Sequence, residues 1–229
     1  KMQNFNVASL TASFNVAQSL YLAKNPTDKA GIALTASDDL NKAKKFLDES
    51  VCESFAGLLT ASKVEHAYLL SSVEKSLGNK AIMRMCEFAH ALSAGNYRKL
   101  DATTVLTILA CAQAGARTRD AVAFAVTGKG NESTSDEVKD IERVRRLQKL
   151  MSKVATGTEP TQVSRSFGVN GFCGALGIGK FSLDEKSGMR VLKVSKSNAF
   201  YKLVAKLIDG ASDSTLTQMK GTKDESEVA

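Results

Sequence analysis

The 229-residue sequence has no tryptophan, only two histidines (His66 and His90) and only two prolines, Pro26 and Pro160. Few prolines, with abundant Ala, Leu, Lys and Ser, favour helices over a many-turned β architecture. No segment approaches the ~20 consecutive apolar residues that a membrane-crossing helix needs. The most apolar run, Val105 to Ala116, is interrupted by Thr107 and Gln113. No basic start, apolar stretch and cleavage site mark a secretory signal at the N-terminus. The expectation is a protein of the cytoplasm or of a virus particle, with no membrane contact. Lys1 precedes Met2, which fits either a residue added ahead of a native start or the cut end of a precursor.

Paired cysteines are also missing. Cys52, Cys86, Cys111 and Cys173 are widely spaced, with no C-x-x-C motif, so buried, reduced thiols are expected instead of a disulfide framework or a zinc site. Cys86 and His90 stand four apart in one helical stretch and would share a face, but two ligands do not close a metal site. Nothing nearby would orient them as a nucleophile and base. The sequence therefore predicts no catalytic residues, no metal and no cofactor.

What is present is helical periodicity. Hydrophobic residues make up 43% of the chain and charged residues 24%, ordinary for a folded domain of this length. Helices are expected at about 5–23, 38–58, 63–77, 80–93, 102–114, 118–127, 136–155 and 198–209. Gly78, Gly95, Gly115 and Gly210 follow four of these, where a left-handed turn is expected. Asp101 and Ser197 are expected as N-caps, and Ser62-Lys-Val-Glu65 as a capping box. The string Leu-Thr-Ala-Ser, ending at Ser13, Ser37 and Ser62, reads as recurrent punctuation. One region breaks the rhythm. Phe181–Leu183 and Met189–Val194 alternate around Asp184-Glu-Lys-Ser-Gly188, the pattern of a β-hairpin. The expected fold is mainly α and two-lobed: a helical lobe over 1–128, a basic lobe with the hairpin over 134–210, and a flexible polar tail over 211–229.

Charge is concentrated. The net charge is +7, yet residues 139–206 alone carry fourteen Lys or Arg against five Asp or Glu, a local excess of +9. Around 136–155, Val138, Ile141, Val144, Leu147 and Met151 form an apolar stripe, and Lys139, Arg143, Arg146, Lys149 and Lys153 lie off it. Such a face can follow a phosphate backbone, because each contact releases condensed counterions without reading sequence. The competing reading is a solvated face with Glu142 pairing locally. Lys180, Lys186, Arg190, Lys193 and Lys196 decorate the hairpin. The candidate nucleic-acid contacts are Arg143, Arg145, Arg146, Lys149, Lys153, Arg165, Lys180, Arg190 and Lys193.

Two further patterns compete for the same region. Gly174, Gly179 and Lys180 fit G-x-x-x-x-G-K, but Phe181 stands where a magnesium-holding hydroxyl belongs, and a hairpin replaces the helix expected after Lys180. The glycines of Gly171–Gly179 are instead expected to permit a close backbone crossing between a short helix and the hairpin. Thr161–Asn170 as helix and turn, a second short helix and the basic hairpin would outline a winged helix, although four glycines in or after its recognition helix count against it.

The resulting expectation is a non-enzymatic protein that binds RNA or DNA independently of sequence. It is expected to form a homo-oligomer through its tail or its N-terminal helix, whose Phe5, Val7, Leu10 and Phe14 could form an exchanged arm. In size, charge and helicity the chain is similar to small, basic, helical nucleoproteins and internal virion proteins of viruses, with no motif carrying the likeness. A structural subunit whose basic lobe meets an acidic protein is the alternative, and a nucleotide hydrolase a distant third.

Overall fold

The computed structural model describes residues 5–24, 49–75, 79–114, 117–129, 142–154, 158–168 and 171–221. The chain is mainly α, with eleven α-helices and three short strands among these residues. It divides into two compact units, Lys1–His90 and Ala91–Ala229.

In the first unit, α1 (Val7–Lys24) packs on α3 (His66–Lys75), which also meets α2 (Glu49–Ala61). Phe5, Leu10 and Phe14 are buried, and the Phe5 and Phe55 rings meet edge to face at 4.8 Å. Of the residues expected to form an exchanged arm, Phe5, Leu10 and Phe14 are thus core residues of their own unit, and Val7 is half-buried. The first and third Leu-Thr-Ala-Ser strings lie inside α1 and at the end of α2, and the second lies outside the described residues. Ser62–Glu65 does not form the expected capping box, because the next helix begins at His66. Val64 N–H donates to Leu59 O at 2.9 Å and Lys63 N–H to Thr60 O at 3.0 Å, closing the end of α2. This ending puts its left-handed residue at Lys63, φ 57°, where glycine is the usual choice. His66 has a structural role. Its Nδ1 accepts from Phe5 N–H at 2.9 Å, and its Nε2 lies 3.1 Å from Thr60 Oγ1.

The boundary at His90 falls within α4 (Asn79–Ser93). The polar run near residues 128–135 does not separate the units, because α5 (Ala102–Ala114) and α6 (Arg119–Thr127) pack on α7 (Glu142–Val154), which lies beyond it. The nearly uncharged α5 is the centre of the second unit. Its Val105, Leu106, Ile108, Leu109 and Cys111 are buried, and it packs on α6, α7, α10 (Ala199–Asp209) and the sheet. Asp101 caps it as expected, its Oδ2 accepting from Thr104 N–H at 2.7 Å. For α10 the cap is one residue later than Ser197: buried Asn198 accepts from Phe200 and Tyr201 N–H and donates to Leu176 O. Of the glycines expected to turn left-handed, Gly95 does so at φ 62°. Gly210 instead keeps a right-handed backbone, and Gly78 and Gly115 lie outside the described residues.

The hairpin is present as β2 (Gly179–Leu183) and β3 (Arg190–Val194), paired antiparallel from Gly179–Val194 to Leu183–Arg190. The two-residue β1 (Arg117–Thr118) adds on the far side of β3, giving the order β1-β3-β2. Residues 211–221 are not a free tail. The short α11 (Asp213–Leu216) buries Leu216, Met219 is also buried, and Lys220 bridges Leu100 and Ala102 through two backbone hydrogen bonds.

Candidate functional site

Helix α7 shows how the chain displays its positive charge. Val144, Leu147, Leu150 and Met151 are buried on one side, anchored by Gln148 Nε2 donating to Phe124 O at 2.9 Å. Glu142, Arg145, Arg146, Lys149, Ser152 and Lys153 are exposed. At roughly 100° per residue, these six exposed positions fall within an arc of about 120°. The backbone of Arg143 lies in α7. Lys139, Val138 and Ile141, also expected on this helix, lie outside the described residues.

Arg146 of the arc is paired, and Glu142 places a carboxylate in the same arc. Arg146 donates to Asp213 Oδ1 through Nε at 3.2 Å and Nη2 at 2.7 Å. Both side chains are about half exposed, 46% and 65%, so this is a solvated surface pair.

The hairpin carries a second group. Lys180 and Lys193 are partners on one rung, so their side chains leave the same face within about 5 Å at Cβ. Both are exposed. Ser182 and Val191 share that face by alternation, while Phe181, Leu183, Arg190 and Leu192 lie on the other. The turn between the strands is tightly held. Asp184 Oδ2 accepts from Ser187 N–H at 3.0 Å and Oγ–H at 2.6 Å, and Gly188 takes φ 67°. These Ser187 bonds, more than nearby Lys193, hold the Asp184 carboxyl below the usual carboxylate range.

Arg165 is exposed near the end of α8 (Pro160–Ser166). Helix α7 packs on α5 and α6, whereas the hairpin meets α5, α6 and the one-turn α9 (Phe172–Ala175). By element, the predicted contacts fall on α7 (Arg145, Arg146, Lys149 and Lys153), on the hairpin (Lys180, Arg190 and Lys193) and on α8 (Arg165).

The glycine-rich stretch makes a close backbone crossing, but its tightest approaches are to the end of α8 rather than to the hairpin. A Cβ on Gly171 would sit 2.1 Å from Arg165 O, and one on Gly174 would sit 2.1 Å from Gly168 O. Lys180 lies in a strand, so no helix N-terminus follows it to cradle a phosphate. The order α8, α9, β2, β3 follows the winged-helix outline, but α9 spans four residues, too short to read a major groove.

Burial raises the thiol pKa values of Cys86, Cys111 and Cys173, which suppresses the thiolate a nucleophile requires. Among the described residues, no three His, Cys, Asp or Glu side chains group as metal ligands, and no helix is long and apolar enough to cross a membrane. Sequence reasoning missed two features here: the Arg146–Asp213 pair, whose partners lie 67 residues apart, and the lysine rung, which the hairpin register implied. No family model, no curated protein and no solved structure matches the chain.

Proposed function

We propose that the second unit binds nucleic acid through backbone phosphates, without reading sequence, and that the protein works as a nucleoprotein or internal virion component. The observation that carries this reading is the exposed arc of α7, where Arg145, Arg146, Lys149 and Lys153 lie together while the opposite side anchors the helix in the core. A one-sided arc in which four cations face the single carboxylate of Glu142 suits a phosphate backbone, and the lysine rung adds two more positive charges.

The test is binding to random-sequence RNA and DNA across a salt series. The expected result is a steep linear fall of log affinity with log salt, and no binding at low salt removes the reading. Assembly with further copies belongs to the same proposal. It rests on Val16 and Leu20, which lie one turn apart on α1 and are 44% and 46% exposed. Size measurement with and without nuclease, with the absorbance ratio, separates self-assembly from assembly on nucleic acid.

A second reading, in which the basic face docks an acidic protein, is favoured by Arg146 already holding a carboxylate. It predicts association with an acidic polypeptide and none with nucleic acid.

A further inference from the structure

In the second unit, the large hydrophobic side chains exposed among the described residues are Leu183 and Met189, at 61% and 51%. Both stand at the base of the hairpin turn. Leu183 pairs with Arg190, and Asp184 N–H donates to Met189 O at 2.9 Å, so strand alternation places Leu183 and Met189 on opposite faces of the ribbon. The end of the hairpin therefore offers one exposed apolar side chain on each face, with Glu185 and Lys186 in the turn and Lys180, Arg190 and Lys193 behind it. The turn is preorganised by the Ser187 bonds to Asp184, which also occupy the carboxylate.

We infer that this hairpin is the element that enters duplex DNA, inserting its end into the minor groove. The inference rests on the nucleic-acid reading above and adds the ligand class and the contacting element. The minor groove of B-form DNA is narrow, about 6 Å, and deep. Its walls are deoxyribose faces, so a ribbon end between them meets apolar surface on both sides. Leu183 and Met189 match those walls. Lys186, beside Glu185 in the exposed turn, is the cation available to the floor, where base acceptors create negative potential, and Lys180, Lys193 and Arg190 are those available to the flanking phosphates. A flat lipid or protein surface would engage one face of the ribbon and leave the other wet. An RNA duplex offers a wide, shallow minor groove lined with hydroxyls, a poorer match to two apolar faces.

The experiment compares wild type with the Leu183→Ser/Met189→Ser variant on duplex DNA, duplex RNA and single-stranded DNA of one sequence. A minor-groove-binding drug serves as competitor, and anionic phospholipid vesicles as a further arm. Both substitutions are at exposed positions, and circular dichroism and melting check that the fold persists. Wild type should prefer duplex DNA and be displaced by the drug. The variant should lose about tenfold affinity for duplex DNA, from the apolar contact removed, with single-strand binding unchanged. Equal affinity for all three nucleic acids with no drug effect overturns the inference and leaves phosphate binding standing. Vesicle binding that requires Leu183 and Met189, without duplex preference, overturns it in favour of a membrane. No binding to any nucleic acid at low salt defeats the underlying reading as well.

Discussion

Arg146 and Asp213 are joined by two hydrogen bonds to one carboxylate oxygen, at 3.2 and 2.7 Å. The pair ties the basic face of α7 to the first turn of α11 and cancels one of the charges that face displays. Asp213→Asn should release the guanidinium. Nucleic-acid affinity should rise, and the slope of log affinity against log salt should steepen by about one. The stability cost should stay within about 1 kcal/mol, as for other exposed pairs. An unchanged slope would show that Arg146 contacts no phosphate.

Lys180 and Lys193 repel each other across their rung. Lys180→Gln should therefore stabilise the fold by a few tenths of a kcal/mol at low ionic strength, a gain that vanishes near 1 M salt. The same substitution should weaken nucleic-acid binding. Thermal melts and binding isotherms at matched salt check the opposite signs, and a parallel change in both contradicts the assignment.

Two glycines should respond to alanine in opposite directions. Gly174→Ala drives a Cβ into Gly168 O and should cost about 1–3 kcal/mol. Gly57, exposed within α2, has nothing within 4 Å of its would-be Cβ. Gly57→Ala should gain up to about 1 kcal/mol, because alanine is the better helix former. Denaturant unfolding measures both.

The Asp184 carboxyl titrates below its ordinary value because Ser187 bonds the charged form. A depressed folded pKa stabilises the fold above the unfolded value, about 3.9. That contribution is lost as acidification passes through the lower folded value. Carbon NMR of the side-chain carboxyl should show the low midpoint, and Ser187→Ala should raise it. An unshifted midpoint in wild type contradicts the turn geometry.

Much of the helical layout was legible because the signals are local. The alternation around Asp184–Gly188 and the stripe of Val144, Leu147 and Met151 each depend on a few neighbouring residues. What escaped depends on distant partners or on competition between equally good local choices. Ser62-Lys-Val-Glu65 spells a helix start, but the same residues close the preceding helix, and the bonds from Lys63 and Val64 settle the competition. Asn198 displaces Ser197 as cap because its amide also reaches Leu176 O, a partner no local window contains. The polar run near 128–135 suggested a boundary by composition, whereas the packing of α5 and α6 on α7 spans it. Within the candidate site, the exposed row on α7 was readable from its period. The pairing of Arg146 with Asp213 was not, because surface charge pairs leave no periodic trace.

The bridge from Lys220 to Leu100 and Ala102 bears on synthesis. The entry to the central helix of the second unit is completed by residues translated some 120 positions later. That unit can reach its final hydrogen bonding only after Lys220 has cleared the ribosome. Until then the row on α7 and the hairpin are presented by a nascent polypeptide in which Lys220 has yet to reach Leu100 and Ala102.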